Sequence, residues 1–370
     1  MKIKINDKRK VIRFSLGIII VALIIVFTLP HILNAVFGNH ISSDVVTVTS
    51  DVVSEIDVGI TDGKFTVYNS QGIKKYNTKG EFESDYYKSA FSPIMHSKGN
   101  YTVLSDTTSA EITVLKGNNL KYEIKAPQNI KSVSVNSKGY TTVITGETGY
   151  KSLVIVYNNK GEEKYRWYSD EGYAVDAKLA DNCKILAVAS VKMEANKLVS
   201  VVEQYKLNKE SVISSVTLDN TIPYNIVFNG SKVVLIGDNK AYSITRSGKI
   251  NGEYEYKGRV LECFDAEKTD NIALALSEGS VATEVVILNE RLKPKGSCRC
   301  EFLVSMLDEN NGKTAVAGEG NVKIITERGN ILAEGALSKD GSFIVLGDSW
   351  RKFAVYSSGY INIFKVQRGR

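Results

Sequence analysis

From about residue 52 onward, short apolar runs alternate with polar turns, and the runs are too short for helices. The recurring pattern is an apolar run, a turn centred on glycine or asparagine, and a second apolar run. It reads IDVGITDGKFTVYN around Gly63 and VSVNSKGYTTVITG around Gly139. Further copies centre on Gly99, Asn182, Gly230, Asn271, Gly312 and Gly341. Successive copies lie 36 to 48 residues apart, except the last pair, only 29 apart. A second turn follows each first one after a gap, clearest at Gly80, Gly161, Gly248 and Gly329. Weaker versions occur at Lys116-Gly117, Asn208-Lys209 and Glu290-Arg291. Two hairpin turns per unit predict about four short antiparallel strands per unit.

A unit of this kind has two apolar faces and cannot cover both alone. Stacking such sheets face to face around an axis covers them, which is the construction of a propeller. The reading is therefore an all-β fold in which residues 52–370 form one β-propeller. Eight four-stranded blades are favoured, and seven with one composite blade is the alternative. Closure of the ring is expected to pair strands from the two ends of the domain, which removes exposed sheet edges. The C-terminal unit predicts strands over Phe343–Leu346, Phe353–Tyr356 and Tyr360–Phe364.

The beginning of the chain follows a different pattern. Residues 14–37 contain no Asp, Glu, Lys or Arg, and their densest stretch reads LGIIIVALIIVFTL. Twenty-four helical residues reach roughly 36 Å, enough to cross a hydrocarbon core of about 30 Å. Residues 1–13 carry Lys2, Lys4, Lys8, Arg9, Lys10 and Arg13 against Asp7 alone, and the next basic residue is Lys64. That asymmetry places the N-terminus in the cytoplasm and the rest outside. A cleaved signal peptide is the competing reading, but the apolar region is long and no clean A-x-A site follows. The expected organisation is a basic tail over 1–13, a membrane helix over 14–37 acting as a signal-anchor, a linker over 38–51 and the propeller.

Charge and composition narrow the function. Of 47 Lys and Arg and 41 Asp and Glu, the tail holds six and one, leaving 41 against 40. Nucleic-acid binding needs concentrated positive charge, and the sequence shows none outside the tail. Histidine is scarce: His31 and His40 lie in or just after the apolar segment, which leaves His96 alone in the expected propeller, where a lone histidine reads as a solvated or satisfied residue. No catalytic, cofactor-binding or metal residues are assigned, and no cofactor is expected. The run Asp308-Glu309-Asn310-Asn311-Gly312 lacks the spacing of a calcium loop and reads as a hairpin turn. Gly318-x-Gly320 reads as a strand-to-strand turn rather than a dinucleotide fingerprint. The pairs Glu162-Glu163 and Asp170-Glu171 point to opposite faces of a strand. Outside the cytoplasm the four cysteines permit disulfides, and a bridge involving Cys263, Cys298 or Cys300 is the candidate.

Val156-Tyr157-Asn158-Asn159-Lys160-Gly161-Glu162, with Trp167 six residues after Gly161, resembles the repeat of quinoprotein-type and WD40-like propellers. The arrangement of basic tail, single membrane helix and degenerate propeller resembles a bacterial family of membrane-anchored propellers of unknown function. That resemblance concerns the fold; the wide face of a propeller held close to the membrane by the anchor reads as an extracytoplasmic interaction platform binding a protein or envelope partner rather than an enzyme. The alternative is an envelope glycan lyase or hydrolase with its site at the propeller axis. With two tryptophans in the chain and no WD dipeptide, quinone binding is not implied.

Overall fold

The computed structural model describes residues 39–42, 46–49, 57–61, 63–209, 211–268, 270–279, 281–337, 341–357 and 359–368. The basic tail and the apolar segment 14–37 lie outside the described residues. Within them the chain is all β, arranged as six four-stranded sheets and one of nine strands. Sheets I to VI occupy residues 57–87, 93–125, 130–169, 173–219, 223–255 and 260–300, each an up-and-down meander in chain order. Sheet VII holds the strands between 306 and 368 and the two N-terminal strands Asn39–Ile41 and Val46–Thr49.

Burial explains the composition of the strands. Second and third strands such as Ile272–Ser277 and Thr283–Leu288 are buried along almost their whole length. They read as unbroken apolar runs because a neighbouring sheet covers each face. Fourth strands lie at the rim and alternate, as in Glu163–Ser169, where Trp167 is buried and Glu163, Lys164 and Arg166 are exposed. Charged side chains along these edges discourage pairing with other chains.

Successive sheets share apolar clusters, and these run in order around a closed ring. Tyr68 and Ile73 of sheet I meet Leu104 and Leu115 of sheet II. Val103 and Val114 meet Val143 and Ile155, and Val154 and Trp167 meet Leu186 and Val188. Ala187 and Val202 meet Val233 and Leu235, Val234 and Tyr256 meet Leu274 and Val286, and Val285 and Cys300 meet Val316 and Ile325. Within sheet VII, Ile324 and Ala333 pack on Phe353 and Phe364. The last cluster returns to the start, with Phe65, Val67 and Tyr76 against Val345, Ala354, Ile361 and Ile363.

The expected pairing of the two chain ends is present. Val46–Thr49 runs antiparallel to the first half of Tyr360–Arg368, with Val46 opposite Ile363 and Thr49 opposite Tyr360. Asn39–Ile41 lies parallel to Ile331–Ala336 and antiparallel to the last residues of Tyr360–Arg368. The stretch 38–51, expected as a linker, therefore contributes strands to the closure. Its partners stand some three hundred positions away, so no local turn marks it.

The copy of the repeat placed at Gly341 needs correction. Gly341 lies in the connection between Ile331–Ala336 and Phe343–Leu346, and the hairpin turn of the last unit is at 347–351. The anomalous spacing of 29 came from that misplaced turn. The other turns, and the three C-terminal strands, fall where expected: Phe343–Leu346, Lys352–Ser357 and Tyr360–Arg368.

Removing residues 336–370 takes away one wall of two clusters and the strand Tyr360–Arg368, which pairs with both N-terminal strands. The truncated chain is expected to lose its cooperative calorimetric transition, and a transition near the intact temperature would refute the closed ring. Phe353 is fully buried and stacks on Phe364 at 5.0 Å. Phe353→Ala should cost about 3–5 kcal/mol in denaturant titrations of the full chain.

Candidate functional site

The first strand of each sheet lies innermost, and several carry polar side chains that reach sideways to the next sheet. Asp57 accepts a hydrogen bond from the Met95 N–H at 2.8 Å, and Asp176 from the Ile226 N–H at 2.9 Å. Asp265 accepts from the Glu309 N–H at 2.8 Å, and Asp308 from the Leu346 N–H at 2.7 Å. His96 Nδ1 accepts from the Val135 N–H at 3.2 Å, and the Ser134 hydroxyl donates to the Ala177 carbonyl at 3.1 Å. Each contact joins one inner strand to the next, so the axis is lined by side-chain staples.

A charged cluster crosses the axis. Glu267 sits in the turn after Val260–Asp265, shaped by its own N–H donating to Asp265 at 3.1 Å. Its carboxylate meets His96 Nε2 at 2.8 Å and Lys178 Nζ at 2.9 Å, joining sheets VI, II and IV. Burial would raise the Glu267 carboxyl, but Lys178 and His96 outweigh it and hold it well below the usual range. Burial lowers Lys178, yet Asp176 and Glu267 more than compensate and keep its ammonium charged. Since His96 Nδ1 accepts a backbone N–H, the imidazole proton belongs on Nε2, facing Glu267. Glu267 borders a cavity of about 700 Å³ whose wall includes Asp265, Lys268, Asp308 and Asn225. Burial pushes Asp308 up to about 7 even with Lys268 beside it, and pushes Asp57 up to about 6.

These carboxyls titrate near neutrality, as acid–base catalysts do. Their oxygens, however, accept bonds that hold the ring together. His96, expected to be an ordinary satisfied residue, is satisfied on both nitrogens and contributes to the cross-axis cluster. The sequence reading did not anticipate Lys178, Asp176 or Glu267, because they meet only when distant sheets converge. The charges of Asp176 and Lys178 inside the otherwise apolar AVDAKLA were the one available signal.

Other candidates resolve simply. Asp308 lies on the strand Met306–Asn310, and Asn311 and Gly312 form the hairpin turn expected there. Glu319 and Gly320 form the turn joining Lys313–Gly318 to Asn321–Thr326. Trp167 docks its sheet on the next, its indole N–H donating to the Tyr205 hydroxyl at 2.8 Å. All four cysteines are free thiols, which corrects the candidate disulfide. Cys263, Ala275, Val285 and Cys298 form one row across sheet VI, so Cys263 and Cys298 stand three strand spacings apart. That is about 14 Å at ~4.8 Å per spacing, beyond the Cα separation of roughly 7 Å that a disulfide tolerates. Cys300 lies on the same outer strand and is equally far from Cys263.

The two ends of the ring differ in surface chemistry. Turns joining second to third strands, and connections between sheets, gather at one end. There Tyr150 and Tyr168 are exposed with ring centroids 4.7 Å apart. Tyr173 is exposed beneath Lys131 and Lys151, whose ammonium groups lie 5.9 and 5.5 Å from its ring centre. The hairpin of Ile185–Glu194 and Lys197–Lys206 has ten residues per strand, longer than its neighbours. Its overhang carries Met193 opposite Leu198, both exposed, beside Tyr224 of the next sheet.

A closed ring of radially stacked four-stranded sheets, its inner strands lining an axis, defines a β-propeller. Residues 42–366 match the family of unknown function DUF5711, and the chain belongs to that family. No curated protein matches. Among solved structures the chain is similar to the C-terminal WD40 domain of Sif2, with a TM-score of 0.66, 11% identity, and coverage of 90% of this chain and 99% of that one. It is also similar to Chaetomium thermophilum Sqt1 bound to the N-terminus of ribosomal protein L10, at TM-score 0.57 and 10% identity, covering 86% and 98%. The Dos1 propeller matches at TM-score 0.51 and 13% identity, covering 89% and 93%. At these identities the likeness concerns fold alone.

Two perturbations test the axis. Glu267→Gln removes one of the two carboxylates that face the Lys178 ammonium, leaving Asp176, and should cost about 2 kcal/mol, less than for a fully buried pair because the Glu267 side chain keeps 35% exposure. Joint replacement of Lys178 and Glu267 by Met should recover most of that loss. Asp57 holds its proton more tightly folded than unfolded, since its folded value of about 6 exceeds the ordinary 3.8. Its contribution is therefore present at low pH and lost as pH rises from about 4 to about 6. Asp57→Asn keeps an oxygen for the Met95 N–H and should flatten that decline, raising stability above pH 6 by about 2 kcal/mol in denaturant titrations.

Proposed function

We propose that this protein is a scaffold anchored in a cell membrane by residues 14–37, with an eight-bladed propeller outside the cytoplasm that binds a protein partner. In this reading sheet VII divides into two blades, the second completed by Val46–Thr49. The observation that carries the binding role is the exposed aromatic cluster of Tyr150, Tyr168 and Tyr173. Tyrosine supplies large contact area with little entropy to lose, and solvent-facing aromatics of this density suit an interface. WD40-type neighbours support the reading, one of them solved with a peptide segment of another protein. The anchor rests on the apolar run and on the basic residues before it. An envelope glycan lyase or hydrolase remains the second reading, favoured by the raised Asp308 carboxyl in the wall of the axial cavity and the raised Asp57 carboxyl on a neighbouring inner strand.

A reporter fused after Arg370 should be active outside the cytoplasm, and activity confined to the cytoplasm would overturn the orientation. A photo-crosslinker placed in the hairpin tip should capture a partner in cells. Tyr150→Ser combined with Tyr173→Ser should reduce that adduct about tenfold or more at unchanged protein level. If the adduct persists while Asp57→Asn with Asp308→Asn abolishes the cellular role, the axial enzyme becomes the better reading.

A further inference from the structure

The other end of the ring carries a repeated surface device. Turns between third and fourth strands in sheets I, III and VI begin with an asparagine that folds the turn onto itself. Asn77 Oδ1 accepts from the Lys79 and Glu81 N–H groups at 2.8 and 3.1 Å. Asn158 does the same for Lys160 and Glu162, and Asn289 for Arg291 and Lys293. In sheets V and VII, Thr245 and Thr326 replace the asparagine. The fourth residue is left-handed, with φ of 80–82° at Gly80, Gly161, Gly248 and Gly329 and 59° at Leu292. This geometry leaves a basic residue at each apex: Lys79, Lys160, Arg246, Arg291 and Arg328, all exposed, with Lys209 in the corresponding turn of sheet IV.

An exposed apolar residue follows two places after the left-handed position in three of these turns. Phe82 is 57% exposed, Ile250 39% and Ile331 46%. Leu120 and Val212 open the fourth strands of sheets II and IV and are exposed as well. Acidic neighbours at this end are largely engaged: Glu81 with Asn77, Glu162 with Lys164, Glu327 with Lys295. The opposite end is mixed in charge: Glu171 and Glu194 pair with Lys192 and Glu301 with Arg299, and Lys131, Lys151 and Lys197 are exposed there.

The chain also enters the fold at the basic end. Asn39 donates from Nδ2 to the Leu332 carbonyl at 3.1 Å, beside Ile331 and the Arg328 turn. Only Gly38 separates Asn39 from the apolar segment 14–37. Basic apices with apolar residues just inside them match the headgroup region of an anionic bilayer, which attracts lysine and arginine and accepts shallow apolar side chains.

We propose that the third-to-fourth-strand turns form a membrane-facing surface that rests the propeller on anionic lipid and turns the tyrosine end toward its partner. This rests on the anchored reading and adds the orientation and the lipid class. The full-length protein is reconstituted into phosphatidylcholine vesicles, with or without about 30% phosphatidylglycerol, and treated with a membrane-impermeant amine-reactive tag read by mass spectrometry. Lys79, Lys160 and Lys209 should label roughly fivefold more slowly on the anionic vesicles, and added salt should abolish the difference. Lys131 and Lys151 should label alike on both. The combined variant Lys79→Glu, Lys160→Glu, Arg246→Glu, Arg328→Glu alters only exposed residues and should remove the protection of Lys209. Equal labelling on both lipids, or equal protection of Lys131, overturns the proposal. So does protection that added inorganic polyphosphate confers and phosphatidylglycerol does not, which would identify a soluble polyanion as the occupant. Failure of the chain to float with phosphatidylcholine vesicles would instead overturn the anchor, separately from the labelling contrast.

Discussion

Every sheet in this molecule has two faces that water cannot cover at tolerable cost, and the ring exists because each sheet hides them against the next. Burying one Val, Leu, Ile or Phe side chain is worth about 1.5–3 kcal/mol, so exposing Phe65, Val67, Val345, Ile361 and Ile363 of a single cluster would cost about 8–15 kcal/mol, comparable to the whole stability of an ordinary domain. Closure is therefore a condition for folding. The seal between Phe65, Val67 and Tyr76 and Val345, Ala354, Ile361 and Ile363 brings the beginning and end of the domain together. Val46–Thr49 and Asn39–Ile41 lock that seal with backbone hydrogen bonds to Tyr360–Arg368.

The same closure makes the axis a crowded place. Inner strands converge, and their polar side chains have little water to share, so they find partners on neighbouring sheets. Asp57, Asp176 and Asp265 accept backbone N–H groups across sheet boundaries, Asp308 does so between two inner strands of sheet VII, and Glu267 bridges three sheets through His96 and Lys178. Raised carboxyls at such a centre resemble an active site in titration behaviour while acting as staples. Burial of this kind perturbs a carboxyl whether or not a substrate follows, so the geometry of the bonds decides its role.

Up-and-down topology has a further consequence. In each sheet the turns after the first and third strands face one way and those after the second strand face the other. A residue type favoured in one class of turn is therefore concentrated at one end. The basic apices of the third-to-fourth-strand turns and the exposed tyrosines of the opposite end follow from that rule.

The sequence by itself determined the local pieces. Apolar runs too short for helices, with glycine or asparagine at places such as Gly63, Gly139 and Asn158, specified hairpins because only certain residues accept the backbone of those turns. The repeat of two turns per unit specified four strands, and two apolar faces per unit specified stacking into a closed ring. The reading slipped at Gly341, because the Asp340-Gly341 pair resembles a hairpin turn as closely as Gly347-Asp348 of the true turn at 347–351. What only the tertiary structure decided were relations between residues far apart in the chain. The partner of Val46–Thr49 lies at the other terminus, Glu267 meets His96 across 171 positions, and Cys263 is separated from Cys298 by two intervening strands. The gathering of the basic turn apices at one end also escaped the sequence, because the up-and-down path of the strands decides which turns share an end. Such relations are invisible in a linear pattern because the backbone's path around the ring, not distance along the chain, sets which charges and strands meet.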